Sequence, residues 1–493
     1  MRKIFWLILL LALVGVADDV ADARPGGGQS YSGGSSGGSS GGGDGAGALV
    51  YLLIRLIIVW PEIGIPIAII VIIGVVVAKR NNDGLGDWDS GESIAMHHAP
   101  TNLDEIRRLD PEFSEVLFTD FAYALYARLH QARFHINALK TCAPYANEAV
   151  RNSLAQRQPA GEPVHGVIVG AMRAVSVNVP HQPENAEGNP NWCTVVLHFE
   201  SNLTVGQPDA WRLYYTHERW TFNRQATATS RDPAKARNLN CPNCDAAFES
   251  SDDATCQYCG EVVNTGQFEW VVTGIQLIQE EQRPPMLTGH AAERGTQLAT
   301  VWHGEVDQRL AAFQEHDPSC AIEGVGARLA QIYDELNKAW SSLDLTNARP
   351  YVSDSIYNYL NYWVTCYNQQ GLVNKMENAK ITRWVIAKVV HDKHYIALTC
   401  RVWGSGLDYT TEQQSGKVVG GSRSKPREYT EYWTIIRGAE VKASPRVDKQ
   451  CPNCAAELKI SMAGICEFCN AHVTSGEFDW VLSKIEQDES YRG

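Results

Sequence analysis

Apolar positions fall into three regimes along the chain. Residues 49–78 are almost continuously apolar, broken mainly by Arg55, Pro61, Glu62 and Pro66, and a shorter apolar run covers 4–16. Further on, Phe113, Leu117, Phe121, Leu125 and Leu129 recur every four residues, as do Val325, Leu329 and Tyr333. That spacing predicts helices with one face in a core. A second, shorter helix is expected through Leu154 and again through Leu360. The pattern then turns extended over 166–179, 192–200 and 211–222, and later over 381–390, 394–403 and 428–436. These stretches are rich in β-branched and aromatic residues and are bounded by Gly, Pro, Asn and Asp clusters, so they predict strands joined by hairpins. Helices followed by strands, twice, predict an α+β fold with helices on one face of an antiparallel sheet.

The two halves are copies. Cys241, Cys244, Cys256 and Cys259 recur as Cys451, Cys454, Cys466 and Cys469, and Gly266, Phe268 and Trp270 recur as Gly476, Phe478 and Trp480. Asp110-Pro111 matches Asp317-Pro318, Tyr126 and Leu129 match Tyr333 and Leu336, and Pro144-Tyr145 matches Pro350-Tyr351. The repeat divides the soluble part into a first module over 95–280, a linker over 281–311 with room for a helix, and a second module over 312–490. Each Asp-Pro pair is expected to open its helix, Asp as N-cap and Pro at the first helical position.

The chain ahead of the first module begins with targeting and membrane sequence. Arg2 and Lys3 precede the run 4–16, and Ala21 and Ala23 stand in the small-x-small arrangement of a cleavage site, so 1–23 reads as a signal peptide, with an uncleaved anchor as the other reading. Residues 24–47 form a Gly/Ser-rich linker without core-forming side chains. The segment 49–78 is expected to supply one transmembrane helix, since about 20 apolar residues cross about 30 Å of hydrocarbon. Lys79 and Arg80 follow it, which places that end and everything after it in the cytoplasm.

The cysteines sharpen the picture. Of 13 in the chain, Cys142, Cys193, Cys320, Cys366 and Cys400 are scattered singly and read as reduced buried thiols. The remaining eight form two C-x2-C-x11-C-x2-C sets within 241–263 and 451–473. Two paired CxxC turns present four thiolates tetrahedrally, so each set is predicted to be a zinc ribbon closing one structural Zn²⁺ site, two per chain. Gly260 and Asn470, just after the last cysteine of each set, suit the left-handed backbone of such turns. Each ribbon is expected to be an enlarged hairpin tip between a strand holding Trp220 or Trp433 and a last strand holding Trp270 or Trp480.

At the second copy the segments ARPYVSDSIYNYL, LDYTTEQQSGKVVGG, EYTEYWTIIRG and SGEFDWVLSKI make the chain resemble the Tim-forty-four-like family. The resemblance is close over 312–488 and looser over 103–275, where HERWTFNR stands in place of TEYWTIIR and the DYT loop is missing. It implies two tandem cone modules of the nuclear-transport-factor-two-like kind, helices on a curved antiparallel sheet around an apolar pocket. It also implies attachment to the bacterial cytoplasmic (inner) membrane, a protein partner or a lipid or other apolar ligand, a link to protein transport, and no catalysis. The long charged segment by which the mitochondrial member recruits a chaperone motor is not evident.

Charge narrows the remaining choices. The chain carries 43 basic and 56 acidic residues, a net −13. The first ribbon holds Asp245, Glu249, Asp252, Asp253 and Glu261 with no Lys or Arg, and the second holds Glu457 and Glu467 against Lys459. Recognition of phosphate backbones rests on Lys and Arg, so nucleic acid is not an expected partner. The sequence offers no phosphate-binding GxxxxGK, no nucleophile elbow and no HExxH. The residues closest to a catalytic type are Glu218 and Glu431, each two positions before a matched Trp and expected on the same sheet face. Either would serve as general base if the cone pocket held an enzyme. The expected reading is a carboxylate paired with Arg or Tyr of a neighbouring strand, with no catalytic residue.

Overall fold

The computed structural model describes residues 101–207, 210–231, 239–249, 253–282, 298–446, 448–461, 463–488, 491 and 493. The expected signal peptide, Gly/Ser linker and transmembrane segment lie outside the described residues. Among the described residues, no helix is long and apolar enough to cross a membrane.

In the first half, helices α1 (Glu115–Ala132), α2 (Ile136–Lys140) and α3 (Glu148–Gln156) precede strands β1 (Val164–Asn178), β2 (Trp192–Val205), β3 (Arg212–Gln225) and β4 (Val271–Gln282). The second half repeats the plan. Helices α4 (Val306–His316), α5 (Ile322–Ser342) and α6 (Asp354–Gln369) precede strands β5 (Leu372–His391), β6 (Tyr395–Glu412), β7 (Val418–Gly421), β8 (Arg427–Gly438) and β9 (Val481–Gln487). The sheets run β1-β2-β3-β4 and β5-β6-β8-β9, antiparallel throughout, with β7 added to β6. The fold is α+β, as the order of periodicities predicts. Helix α4 straddles the expected boundary at 311 between the linker and the second module. Strands β5 and β6 outrun the sequence reading because the DYT segment, Asp408 to Thr410, continues β6 into the hairpin with β7.

Residue register explains why the first sheet has one dry face. Leu197 pairs with Trp220 and Phe199 with Glu218 on the face toward the helices, while His198 pairs with Arg219 on the other. The first core gathers Phe118, Phe121, Leu125, Leu129, Phe199, Trp220 and Trp270, and the second gathers Leu329, Tyr333, Leu336, Trp340, Trp433 and Trp480. The matched Pro-Tyr pairs sit where the segment entering the last helix of each copy touches the last strand. Val272 donates its N–H to the Tyr145 carbonyl at 2.8 Å, and in the second copy Ser353 donates to the Leu482 carbonyl at 2.8 Å. The next polar residue then caps the helix: Asn147 accepts from Val150 N–H at 2.9 Å, and Ser353 does the same for Ile356.

The Asp-Pro pairs do not open helices. Helix α1 begins at Glu115 with Ser114 as N-cap, and α5 begins at Ile322 with no side-chain cap. Asp110 and Asp317 instead turn inward to a buried arginine near the end of the strand before the ribbon. Arg224 donates to Asp110 at 2.7 Å and Arg437 to Asp317 at 2.6 Å, all four side chains almost fully buried. Each guanidinium also lies over the matched indole, Arg224 at 4.8 Å from the Trp270 ring and Arg437 at 4.6 Å from that of Trp480. A buried guanidinium needs this counter-charge more than the helix needs a cap, whose loss costs only about 1 kcal/mol.

The periodic stripe on α1 is also divided. Phe121, Leu125 and Leu129 enter the first core, whereas Leu117 joins Val116 in a separate cluster with Val390, Tyr395, Ala397, Ile436 and Val481 of the second half. Helix α1 thus packs against its own sheet and against the outer face of the other. Lys388 reaches Glu115 at 3.2 Å and Lys393 reaches Glu112 at 2.6 Å around this contact. From the other side, Ile168 of β1 packs against the second core.

The repeated ion pair yields a prediction. Asp317→Asn leaves Arg437 buried without its counter-charge and is expected to destabilise the second half by about 3–5 kcal/mol, read as a lowered urea midpoint in tryptophan fluorescence. Burial pushes the Asp317 carboxyl up, but hydrogen bonds from Ser319 and Arg437 outweigh it and hold the group below the usual carboxylate range. Its stabilisation is therefore present above the unfolded-state value of about 4 and is lost as pH falls through the lower folded value. A loss under about 1 kcal/mol in the variant, or an acid transition unchanged by it, would show the pair to be dispensable.

Candidate metal centres and buried carboxylates

The loop between the last two strands of each sheet grows into a small ribbon, and its base is tied shut. Gly266 and Gly476 adopt φ of +72° and +79°, which favours glycine. Their carbonyls accept from Gln225 N–H at 2.8 Å and from Gly438 N–H at 2.7 Å. This is why the glycine matches between the copies.

Within each ribbon the two CxxC turns repeat one geometry. Asp245 N–H bonds back to the Cys241 carbonyl at 2.9 Å and Gly260 N–H to that of Cys256 at 2.8 Å; Ala455 and Asn470 do the same to Cys451 and Cys466 at 2.9 and 3.0 Å. The four residues that close these turns all have positive φ, Gly260 and Asn470 as predicted and Asp245 and Ala455 besides. The turns bring the sulfurs together. In each set the four Sγ atoms lie within 4.8 Å of one another. Cys241 and Cys259 are 3.9 Å apart, Cys244 and Cys256 3.8 Å, Cys451 and Cys469 3.9 Å, and Cys454 and Cys466 4.0 Å. A tetrahedron of Zn–S bonds near 2.3 Å has edges of about 3.8 Å, so both sets have the geometry to hold a metal ion.

The electrostatics favour a thiolate at the last cysteine of each set. The backbone N–H of Glu261, followed by the Asn243 side chain, draws Cys259 down to about 7, and the Asn453 side chain with the N–H of Ala471 draws Cys469 down to about 6. Burial pushes Cys241 and Cys451 up to about 12, a cost that a bound cation would reverse. The five scattered cysteines are buried free thiols.

Glu218 and Glu431 sit on the dry face with their matched indoles, as expected. Trp220 donates its Nε1–H to Glu218 at 3.1 Å and Trp433 to Glu431 at 2.8 Å. Their further partners depart from the expected Arg or Tyr of a neighbouring strand, by position in the first copy and by residue type in the second. Arg157, just past α3, pairs with Glu218, and His130 of α1 lies 2.9 Å from it. Burial, then Arg157 and Arg133, drives His130 well below its ordinary value, so the neutral ring donates to the carboxylate. In the second copy Gln487 of neighbouring β9 donates to Glu431 at 3.1 Å. Sequence reading missed His130 and Arg157, since nothing in their spacing announces a partner several elements away.

The interior around these carboxylates is filled. Tyr126 stacks on Phe199 at 4.3 Å and lies 4.8 Å from Trp220, its hydroxyl bonded to Ser201 at 2.7 Å. In the second copy Tyr333 bonds Tyr429 through their hydroxyls. Deeper in, Trp340 donates to Asn374 at 2.8 Å, Asn374 to Asp408 at 2.7 Å, and Arg427 to Asp408 at 2.7 Å. A cavity of about 860 Å³ lies elsewhere, between the two halves.

No curated protein matches the chain. Among solved structures, one described as "Ntf2 like protein involved in plasmid conjugation" aligns at 8% sequence identity over 75% of this chain and 96% of that one, with a TM-score of 0.17. Overlap that slight carries no argument about the fold. The family comparison is more specific: residues 306–446, from α4 to the segment just before the second ribbon, match the Tim44-like domain model. The second half of the chain thus carries a Tim44-like domain.

Proposed function

We propose that this chain is a membrane-tethered, non-enzymatic binding protein that holds a protein or lipid ligand near the membrane, with a role in protein transport. Its two halves act as cone modules of the nuclear-transport-factor-two-like kind, and each ribbon closes one structural Zn²⁺ site through its four cysteines. The observation that carries the reading is the state of Glu218 and Glu431. Both are enclosed among indole, arginine, imidazole or amide partners, which supports a structural role over that of a general base. The Tim44-like match over 306–446 supports the same class. The apolar stretch 49–78 followed by Lys79 and Arg80 supports a single span with the modules on the cytoplasmic side.

The ribbons supply a contact surface. Tyr258 and Phe468 stand at matching positions between the last two cysteines of each ribbon and are 65% and 57% exposed. An aromatic kept outside in both copies of a diverged repeat has no packing to serve, and aromatic side chains are frequent anchors of protein interfaces.

Three outcomes test this reading. Metal analysis of the full-length protein should give about two zinc equivalents, and Cys244→Ser should remove one while leaving the other; free thiols without metal would end the zinc assignment. Partner recovery after crosslinking in native membranes should fall about ten-fold or more, equivalent to 1.4 kcal/mol, in the Tyr258→Ala, Phe468→Ala double variant with zinc content unchanged. Recovery equal to wild type would remove the ribbons from the contact. Protease added outside sealed cells should spare residues 95–490, and their digestion would reverse the topology.

A further inference from the structure

The cavity between the halves is unlike the filled interiors. One wall is the outer face of the first sheet with the flank of α1, and the opposite wall is the outer face of the second sheet. Tyr123, Val390, Ile436 and Ile485 give it apolar surface, in the size range of small-molecule sites.

One row of side chains distinguishes the first wall. Arg173 on β1 pairs directly across with His198 on β2, and His198 with Arg219 on β3, so the three stand side by side on one sheet face. All three line the cavity. Neighbours in such a row are about 5 Å apart, close enough for two of them to hold one head group. Arg173 is committed to Glu200. Arg219 has no carboxylate partner among the described residues, and the Nε2 atom of His198 is buried with no hydrogen-bond partner. An unpartnered buried nitrogen beside a free guanidinium is costly in a finished interior and useful in a binding site.

Two of the acids on the walls already have cations of their own. Glu115 is held by Lys388 at 3.2 Å and Glu486 by Lys484 at 3.1 Å. Asp120, on the α1 wall, has an interaction of its own. Burial, followed by the field of Arg173 and joined by His217 and Arg219 against the opposing Glu200, takes His198 down to about 4. The ring is therefore neutral at physiological pH, and in its Nε2–H tautomer it donates to an oxyanion.

We propose that the cavity between the two halves binds an organic anion, a carboxylate or phosphate on an apolar body, with its head group against Arg219 and His198. A charge-assisted bond from Arg219 and a second from His198 fix the anion, while the apolar wall residues cover the body. The site needs both halves, since neither sheet alone encloses it. It goes beyond the binding role proposed above and does not depend on the ribbons.

The test uses full-length protein in a non-ionic detergent, titrated by calorimetry with phenyl phosphate, benzoate, inorganic phosphate and neutral benzyl alcohol. Phenyl phosphate or benzoate should bind once per chain, and the tighter of the two identifies the head group. Arg219→Glu, at an exposed position, should weaken that binding at least ten-fold, and His198→Phe should weaken it too, both with the wild-type urea midpoint as the sign of intact folding. Equal affinity for benzyl alcohol, or for inorganic phosphate alone, would overturn the organic-anion assignment. So would unchanged affinity in Arg219→Glu, or no binding of either aromatic anion to the wild type.

Discussion

A guanidinium buried without a counter-charge is among the least tolerable features of a protein interior, and this chain buries one at the same place in each half. Arg224 and Arg437 sit near the ends of β3 and β8, where the sheet hands over to the ribbon. Each is held by an aspartate from before the main helix and covered by the indole that begins the last strand. Three segments far apart in sequence are joined at one side chain. The helix layer is thereby fixed to the sheet, the last strand to its neighbour, and the ribbon to a rigid base. Such a pair is weak as a source of net stability but strict about geometry, which suits a joint.

From that joint, the division of labour between interior and exterior follows. The filled interiors spend their polar groups on one another, Glu218 with Arg157 and His130, Asp408 with Arg427 and Asn374. Low local dielectric makes such networks strong when complete and leaves little for a ligand to gain by entering. Space is found instead where two outer faces meet, and exposed aromatic surface where the ribbons carry Tyr258 and Phe468 outward.

Much of this was legible in the sequence because it rests on periodicity and spacing. The four-residue stripe on α1, the alternation along β2 and β3 and the doubled CxxC sets each follow from local geometry. The Gly266 and Gly476 match was visible too, although its reason, a carbonyl closing the ribbon base, was not. What stayed hidden is tertiary. Asp110 next to Pro111 is a sound helix signal locally, and only the presence of Arg224, 114 residues away, overrides it. Leu117 lies on the same stripe as Leu125, yet it serves the other half of the chain. His130 and Arg157 had no local mark. The row Arg173, His198 and Arg219 depends on strand register, which a bulge between Ala174 and Ser176 shifts, so no count along the chain would have aligned it.

The double duty of α1 has a consequence for what this chain is as an assembly. A helix with one apolar stripe in its own core and Val116 and Leu117 in a foreign one makes the two copies a dimer within a single polypeptide, held at the high effective concentration of a linker. A dimer of identical subunits would have to repeat every contact under its symmetry. Here each copy faces the other with a different surface, helix against sheet on one side and strand against helix on the other. Duplication followed by docking thus frees the chain from symmetry: it can keep two equivalent ribbons at its periphery while building, at the junction, a chamber that occurs once.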